Sequence, residues 1–298
     1  MTKQINPAQI KALAIDLDGT SLLPDNTMGN RTKQNLKWLI KNGIHVIICT
    51  GRAVESSRRY YEAIGAEGPM VFFNGAVVAD IPPPGSSQKV KIIESRYLSL
   101  DVVNYGVDLA REDNLHFQAF LPPDEKQEGH REILLIEKLR PEAKFYLKHT
   151  SITPIITDLK EAIAVPEVKS CIKAMFITDP SLHDGLRKKM LDRFGDTIYI
   201  TRTYPTFLEI MASGVSKGEG LKTVMDCRGL KPEEVIAFGD EENDLPMFPV
   251  AGFSAAPSNA KETVKQAADF IYGSNAEEGL AVFLEDLFGT TCIPAQFP

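Results

Sequence analysis

Residues 11–20 read KALAIDLDGT, an almost unbroken apolar run that closes on two carboxylates, Asp16 and Asp18, and a glycine. A run that is apolar on both faces predicts a strand inside a parallel sheet. A helix is expected at about Thr32 to Lys41, stopped by Gly43. A second apolar strand, His45 to Cys49, ends in Thr50-Gly51-Arg52. A helix at about Ala53 to Ile64 and a short strand, Met70 to Phe73, come next. Strand, helix, strand, helix, strand at this spacing predicts an α/β fold with a doubly wound parallel sheet.

Further along, the turn-rich stretch Asp80-Ile-Pro-Pro-Pro-Gly-Ser-Ser interrupts the pattern. From 84 to 210 the segments change to short alternating strands (Lys89 to Ile93, Ser170 to Thr178, Ile198 to Arg202) with helices between them, which predicts an inserted α+β module. The parallel pattern then returns. Ser216 with Glu219 three residues later forms a capping box that opens a helix to about Cys227. Val235 to Asp240 is another apolar strand. Gly252 to Ala256 and Asp269 to Tyr272 read as short final strands, with helices at about Ala260 to Ala268 and Glu278 to Leu287. The expected core is therefore discontinuous, residues 1–83 and 211–298.

Composition narrows the function classes. The 298 residues are 43% apolar and 24% charged, with a formal net charge of −7, an ordinary globular balance. A chain this acidic is a poor general binder of nucleic acid. Its one basic triplet, Arg187-Lys188-Lys189, reads as a solvated helix face. No apolar stretch approaches the roughly 18 residues of a membrane span, and no signal peptide is visible. Cys49, Cys171, Cys227 and Cys292 form no C-x-x-C pair, which argues against a zinc knuckle and fits a reducing, cytoplasmic setting.

The polar motifs fall at strand ends, where open α/β sheets bind ligands. Asp16 and Asp18 can divide nucleophilic and proton-transfer work at one centre and can offer hard oxygens to Mg²⁺. Thr50 and Gly51 can cradle a phosphate with a hydroxyl and a backbone N–H. Lys217 sits in the first turn of its helix, where a cation opposes the helix dipole; a bound phosphate or carboxylate would account for it. Asp240 and Asp244 can reach a metal, with Asn243 orienting one of them, while Glu241 and Glu242 are expected to face solvent. Each motif has a plain structural alternative: a turn aspartate, an N-cap threonine, a surface lysine, an acidic loop. Together they supply the nucleophile, metal and positive charge that phosphoryl transfer needs.

The sequence resembles the haloacid dehalogenase superfamily of phosphatases, in its Cof-type branch. The resemblance rests on DLDGT (16–20), TGR (50–52), NGA (74–76), FLEIMASGVSKGEGL (207–221), GDEENDLPMF (239–248), APSNA (256–260) and AEEGLA (276–281). It implies a Rossmann-like core with a cap inserted after the third strand. It implies Asp16 as nucleophile, Asp18 as general acid and base that also offers its backbone carbonyl to Mg²⁺, and Lys217 as support for Asp16 and the phosphate. Thr50 and Gly51 would bind the phosphoryl group, Asn74 phosphate or substrate, and Asn243 phosphate or water. Asp240 would ligate Mg²⁺ with Asp244 behind it. Ser21, and the Glu that follows Asp240, depart from the family pattern without touching these residues. The expected partner is a small phosphate ester such as a sugar phosphate, with neither nucleic acid nor membrane. A phosphomutase and a non-catalytic phosphate-binding protein are the alternatives on the same machinery. Cap residues His116, Lys144, His149 and Arg202 are candidate leaving-group contacts, each with a surface residue as the plain alternative.

Overall fold

The computed structural model describes residues 5–122 and 132–289. The first strands are β1 (Ala12–Ile15), β2 (His45–Ile48), β3 (Gly68–Phe72), β4 (Val77–Ile81) and β5 (Lys91–Ser95). Next come β6 (His116–Leu121), β7 (Ile133–Ile136), β8 (Ile155–Ile156), β9 (Lys173–Ile177), β10 (Ile198–Tyr204) and β11 (Phe207–Ala212). The chain closes with β12 (Val235–Phe238), β13 (Phe253–Pro257) and β14 (Phe270–Tyr272). The helices are α1 (Asn30–Lys41), α2 (Val54–Ile64), α3 (Leu100–Glu112), α4 (Pro141–Thr150), α5 (Leu159–Ala164), α6 (His183–Phe194), α7 (Lys217–Arg228), α8 (Glu262–Ala267) and α9 (Gly279–Phe288).

The core sheet is all parallel in the order β14-β13-β12-β1-β2. Both faces of β1 are buried, as its continuous apolar sequence requires. Leu13 and Ile15 pack with Leu36 and Leu39 of α1 and Leu280 of α9, while Ala12 and Ala14 pack with Leu221 and Val224 of α7. Chain order runs one way from β1 to β2 and the other way from β1 to β12, so the carboxyl end of β1 is the switch point where such sheets bind ligands.

The strand expected at Met70 to Phe73 is β3. It meets β2 through a parallel bridge, Cys49 to Val71, and the Thr50 N–H donates to the Val71 carbonyl at 2.9 Å. Two features differ from the sequence reading. Asp80 and Ile81 complete β4, antiparallel to β3, before the prolines end it. The strand expected near Lys89 to Ile93 is β5; it pairs with β4 and so continues the core side rather than the inserted module's sheet.

The inserted module is built on a six-stranded sheet, β10-β11-β9-β6-β7-β8. The two-residue period of its strands sorts their side chains. Phe117, Ala119, Phe176 and Leu208 face a cluster with Val103 and Val107 of α3, Leu159 of α5 and Leu186 of α6. Phe120, Met175, Phe207 and Met211 face the core and pack with Phe72, Phe73 and Ala76. Lys173 and Glu209 keep the second parity, on the face turned toward the carboxyl end of the core sheet. Among the described residues, no helix is long and apolar enough to cross a membrane.

Candidate active site

At the end of β1 the chain turns sharply, with Gly19 at φ +78°. A Cβ at Gly19 would stand 2.2 Å from Asp240 Oδ2, so glycine is what lets this loop close on the end of β12. The Thr20 hydroxyl donates to Asp240 Oδ1 at 2.6 Å, and the Ser21 hydroxyl to the Asp16 carbonyl at 2.7 Å. The first bond fixes the two carboxylate-bearing loops against each other, and the second braces the β1 loop from within.

Lys217 opens α7, whose N-cap Ser216 accepts from the Glu219 N–H at 3.1 Å. Its side chain is buried, with Nζ 2.6 Å from Asp16 Oδ1 and 2.6 Å from Asp244 Oδ1. Asp244 spends its other oxygen on the backbone N–H groups of Asp240 (2.9 Å) and Glu241 (3.0 Å). It therefore holds both the lysine and the loop. Asp16, Asp240 and Asp244 each bring an oxygen within 4.8 Å of the others, all buried. Burial pushes the Asp16 carboxyl up to about 8, against the pull of Lys217 and with help from Asp244 and Asp18. Burial, then the charges of Asp244 and Asp16, raise Asp240 as well. Three clustered carboxylates facing one ammonium are short of positive charge, and hard oxygen donors of this kind fit Mg²⁺.

Asp18 stands apart from that cluster. Arg52 grips it, Nε to Oδ2 at 2.7 Å and Nη2 to Oδ1 at 2.5 Å. Its carboxylate is not among the three that converge. Thr50 does not cap α2, whose N-cap is Ala53; its hydroxyl accepts the Arg52 N–H at 3.1 Å. Phe73, Asn74 and Gly75 all have positive φ, a costly turn for the first two. It buries Asn74 between two partners: Nδ2 donates to Glu209 Oε2 at 2.5 Å, and Oδ1 accepts from Asn243 Nδ2 at 2.9 Å. Asn243 Oδ1 is buried and has no hydrogen-bond partner among the described residues.

Part of this set lines one cleft between core and module, while Lys217, Asp240, Asp244, Thr50 and Asn74 are buried outside its lining. Asp16, Asp18, Gly51, Arg52, Glu241 and Asn243 form the core wall. Tyr146, Lys173, Tyr204, Phe207 and Glu209 line the opposite wall. Glu241 does not face solvent as expected: it lines the cleft and pairs with Lys261 at 2.6 Å. Three of the four candidate cap contacts lie outside the cleft lining. His116 is buried against Gln118, Lys144 is exposed, and Arg202 pairs with Asp184. The side chain of His149 lies outside the described residues. The sequence signal for Lys173 was its solitary charge within the apolar run Cys171 to Ile177; Glu209 sits likewise in Phe207 to Met211.

The sequence profile described as haloacid dehalogenase-like hydrolase matches residues 13–284. The chain is 33% identical to 5-amino-6-(5-phospho-D-ribitylamino)uracil phosphatase YitU of Bacillus subtilis over 281 residues, covering 93% of this chain and 97% of that protein. Among solved structures, it is similar to TM0651 from Thermotoga maritima (27% identity, TM-score 0.74, covering 93% and 97% of the two chains). It is also similar to BT1666 from Bacteroides thetaiotaomicron, a phosphatase of the haloalkanoate enzyme superfamily (26% identity, TM-score 0.73, covering 94% and 95%).

Proposed function

Because this chain belongs to the haloacid dehalogenase-like hydrolases and is a phosphatase of that family, we propose that it hydrolyses small phosphate monoesters with Mg²⁺, through a phosphoryl group carried transiently on Asp16. The observation that carries this reading is Lys217, buried at 2.6 Å from both Asp16 and Asp244 at the switch point of the sheet. The lysine orients the attacking oxygen and leaves positive charge where the phosphoryl group arrives.

Asp16, Asp240 and the Asp18 carbonyl would hold the ion, with Asp244 bracing them. Bound there, Mg²⁺ would offset the carboxylate charge and polarise the phosphoryl oxygens. The chain's own groups do the rest. An Asp16 oxygen attacks phosphorus, the P–O bond to the leaving alcohol breaks, and the Asp18 carboxyl gives that alcohol its proton. Asp18, now a carboxylate, takes a proton from water as the water oxygen attacks phosphorus. Phosphate leaves, and Asp16 is restored. The Thr50 hydroxyl and Gly51 N–H cradle the transferring group, and Lys217 steadies its charge.

The module over residues 84–210, less the β5 strand that pairs with the core, closes on the leaving group. Its cleft wall combines the aromatic rings of Tyr146, Tyr204 and Phe207 with the charges of Lys173 and Glu209. Sugar phosphates suit this wall. The name of the 33% identical relative adds a phosphorylated ribityl chain joined to a pyrimidine as a compound to test. Phosphate release from a panel of sugar phosphates, that compound and p-nitrophenyl phosphate, with Mg²⁺ and with EDTA, tests the reading. Turnover that needs Mg²⁺ and vanishes in Asp16→Asn supports it; metal-independent turnover, or none on any ester, overturns it.

A further inference from the structure

A buried ion pair on the cap sheet takes no part in the steps at Asp16. Lys173 Nζ lies 2.7 Å from Glu209 Oε1, and the two side chains are 1% and 3% exposed. Glu209 pairs in register with Met175, which makes Lys173 its diagonal neighbour across β9 and β11. Such a pair is a poor stabiliser. The desolvation of two charges commonly outweighs their attraction, and apolar side chains of similar size would hold the same space at least as well.

Its surroundings point to binding. Lys173 Nζ donates to Glu209 Oε1 and, at 3.0 Å, to the Gly51 carbonyl. Glu209 Oε2 accepts from Asn74. The ammonium also lies over the rings of Phe73 and Phe120, 5.6 and 5.4 Å from their centroids. With three N–H donors on an ammonium and about four acceptor sites on a carboxylate, each partner keeps a polar site beyond its bonds among the described residues. Both also line the cleft that holds Asp16 and Asp18. The Gly51 contact places the ammonium beside the phosphate cradle, where the first carbons of the leaving group would lie.

A donor and an acceptor side by side match a hydroxyl, which donates and accepts at once. A carboxylate on the leaving group would meet Glu209, and an ammonium would meet Lys173. An apolar group would leave both charges without an added partner. We propose that the Lys173–Glu209 pair is the specificity element of the cap: it binds a hydroxyl on the carbon chain next to the ester oxygen, and so selects polyhydroxylated leaving groups over apolar or acidic ones. The inference rests on the phosphatase reading of the cleft.

The test compares steady-state hydrolysis of D-ribose 5-phosphate, p-nitrophenyl phosphate and 3-phosphoglycerate by wild type and by Lys173→Met/Glu209→Leu. The double substitution removes both charges, so neither is left buried alone. The ratio of kcat/KM for ribose 5-phosphate to that for p-nitrophenyl phosphate should fall at least 10-fold, chiefly through KM for the sugar ester. In wild type 3-phosphoglycerate should be the poorest of the three, and Glu209→Gln should narrow that gap. Should the double variant fail to melt cooperatively, Glu209→Gln reads the same ratios. A ratio that stays constant while all three rates fall together makes the pair a support of the cradle and overturns the inference. Absence of turnover on every ester by the wild type overturns the phosphatase reading itself, a distinct result.

Discussion

Arg52 holds the carboxylate of Asp18 in a two-pronged grip, through Nε at 2.7 Å and Nη2 at 2.5 Å. The arginine is 4% exposed and also lies over the Tyr60 ring, 5.3 Å from its centroid, so its position is set by packing. It follows that Asp18 is presented from one direction and must exchange part of this grip for the leaving-group oxygen. Arg52→Ala should lower kcat/KM roughly 10- to 100-fold, the size of a charge-assisted contact. Arg52→Lys should recover little of it, because an ammonium cannot reproduce the planar fork. Rates on p-nitrophenyl phosphate, a good leaving group that needs less protonation, should fall less than rates on alkyl esters.

Asp16→Asn should abolish turnover, by at least about 10³-fold, because an amide oxygen is a poor nucleophile toward phosphorus. The same change should not lower the melting temperature. It takes one carboxylate out of a buried cluster of three, and Lys217 keeps Asp244 as its partner at 2.6 Å. Sites built to react often hold like charges together at a cost in stability. A fall of several degrees in the variant without metal would show that the Asp16–Lys217 pair is chiefly structural.

The sequence was most readable where one residue type settles the matter locally. The run ALAI, too short and too unbroken for an amphipathic helix, reads as a strand buried on both faces, and the carboxylates after it mark the sheet's binding edge. Ser216 with Glu219 likewise announces the start of α7, which puts Lys217 in place. β4 was hidden because its last residues, Asp80 and Ile81, abut three prolines, and turn composition outweighed the short apolar stretch Val77 to Ala79. The grip of Arg52 on Asp18 spans 34 residues and the Lys173–Glu209 pair 36. Neither partner choice is written in local pattern; each follows from which strands become neighbours and which parity faces inward. Glu241 is drawn into the cleft for the same reason, through its pair with Lys261 of the next loop.

Metal should stabilise the folded chain as well as activate it. A ligand that binds only the folded state at 100 times its Kd adds about 2.7 kcal/mol, roughly 5 °C for a chain of this size. Thermal melts with Mg²⁺ and with EDTA should differ by about that much in wild type. Asp240→Asn should erase the difference, because Asp240 is one of the three converging carboxylates and takes no part in the Lys217 pair. An undiminished shift in that variant would place the cation elsewhere.

Glu132 ties the module to the core in a way that depends on pH. Its Oε1 accepts the Val54 N–H at 3.0 Å, at the start of α2, where Ala53 offers no capping side chain. Burial pushes the Glu132 carboxyl up to about 7 from an ordinary 4.5, with the backbone N–H donors of α2 opposing the rise. Between those two values the folded state holds a proton that the unfolded state has released. Stability therefore falls as pH rises from about 4.5 to 7, by at most about 3 kcal/mol from this group, and is flat above. Glu132→Gln keeps an acceptor for Val54 but does not titrate. Relative to wild type, its melting temperature should gain steadily from pH 5 to pH 7 and then hold a constant lead at pH 8. Parallel pH profiles for the two proteins would mean that the Glu132 carboxyl is solvated in the folded state, and that α2 draws its N-terminal partner at no electrostatic cost.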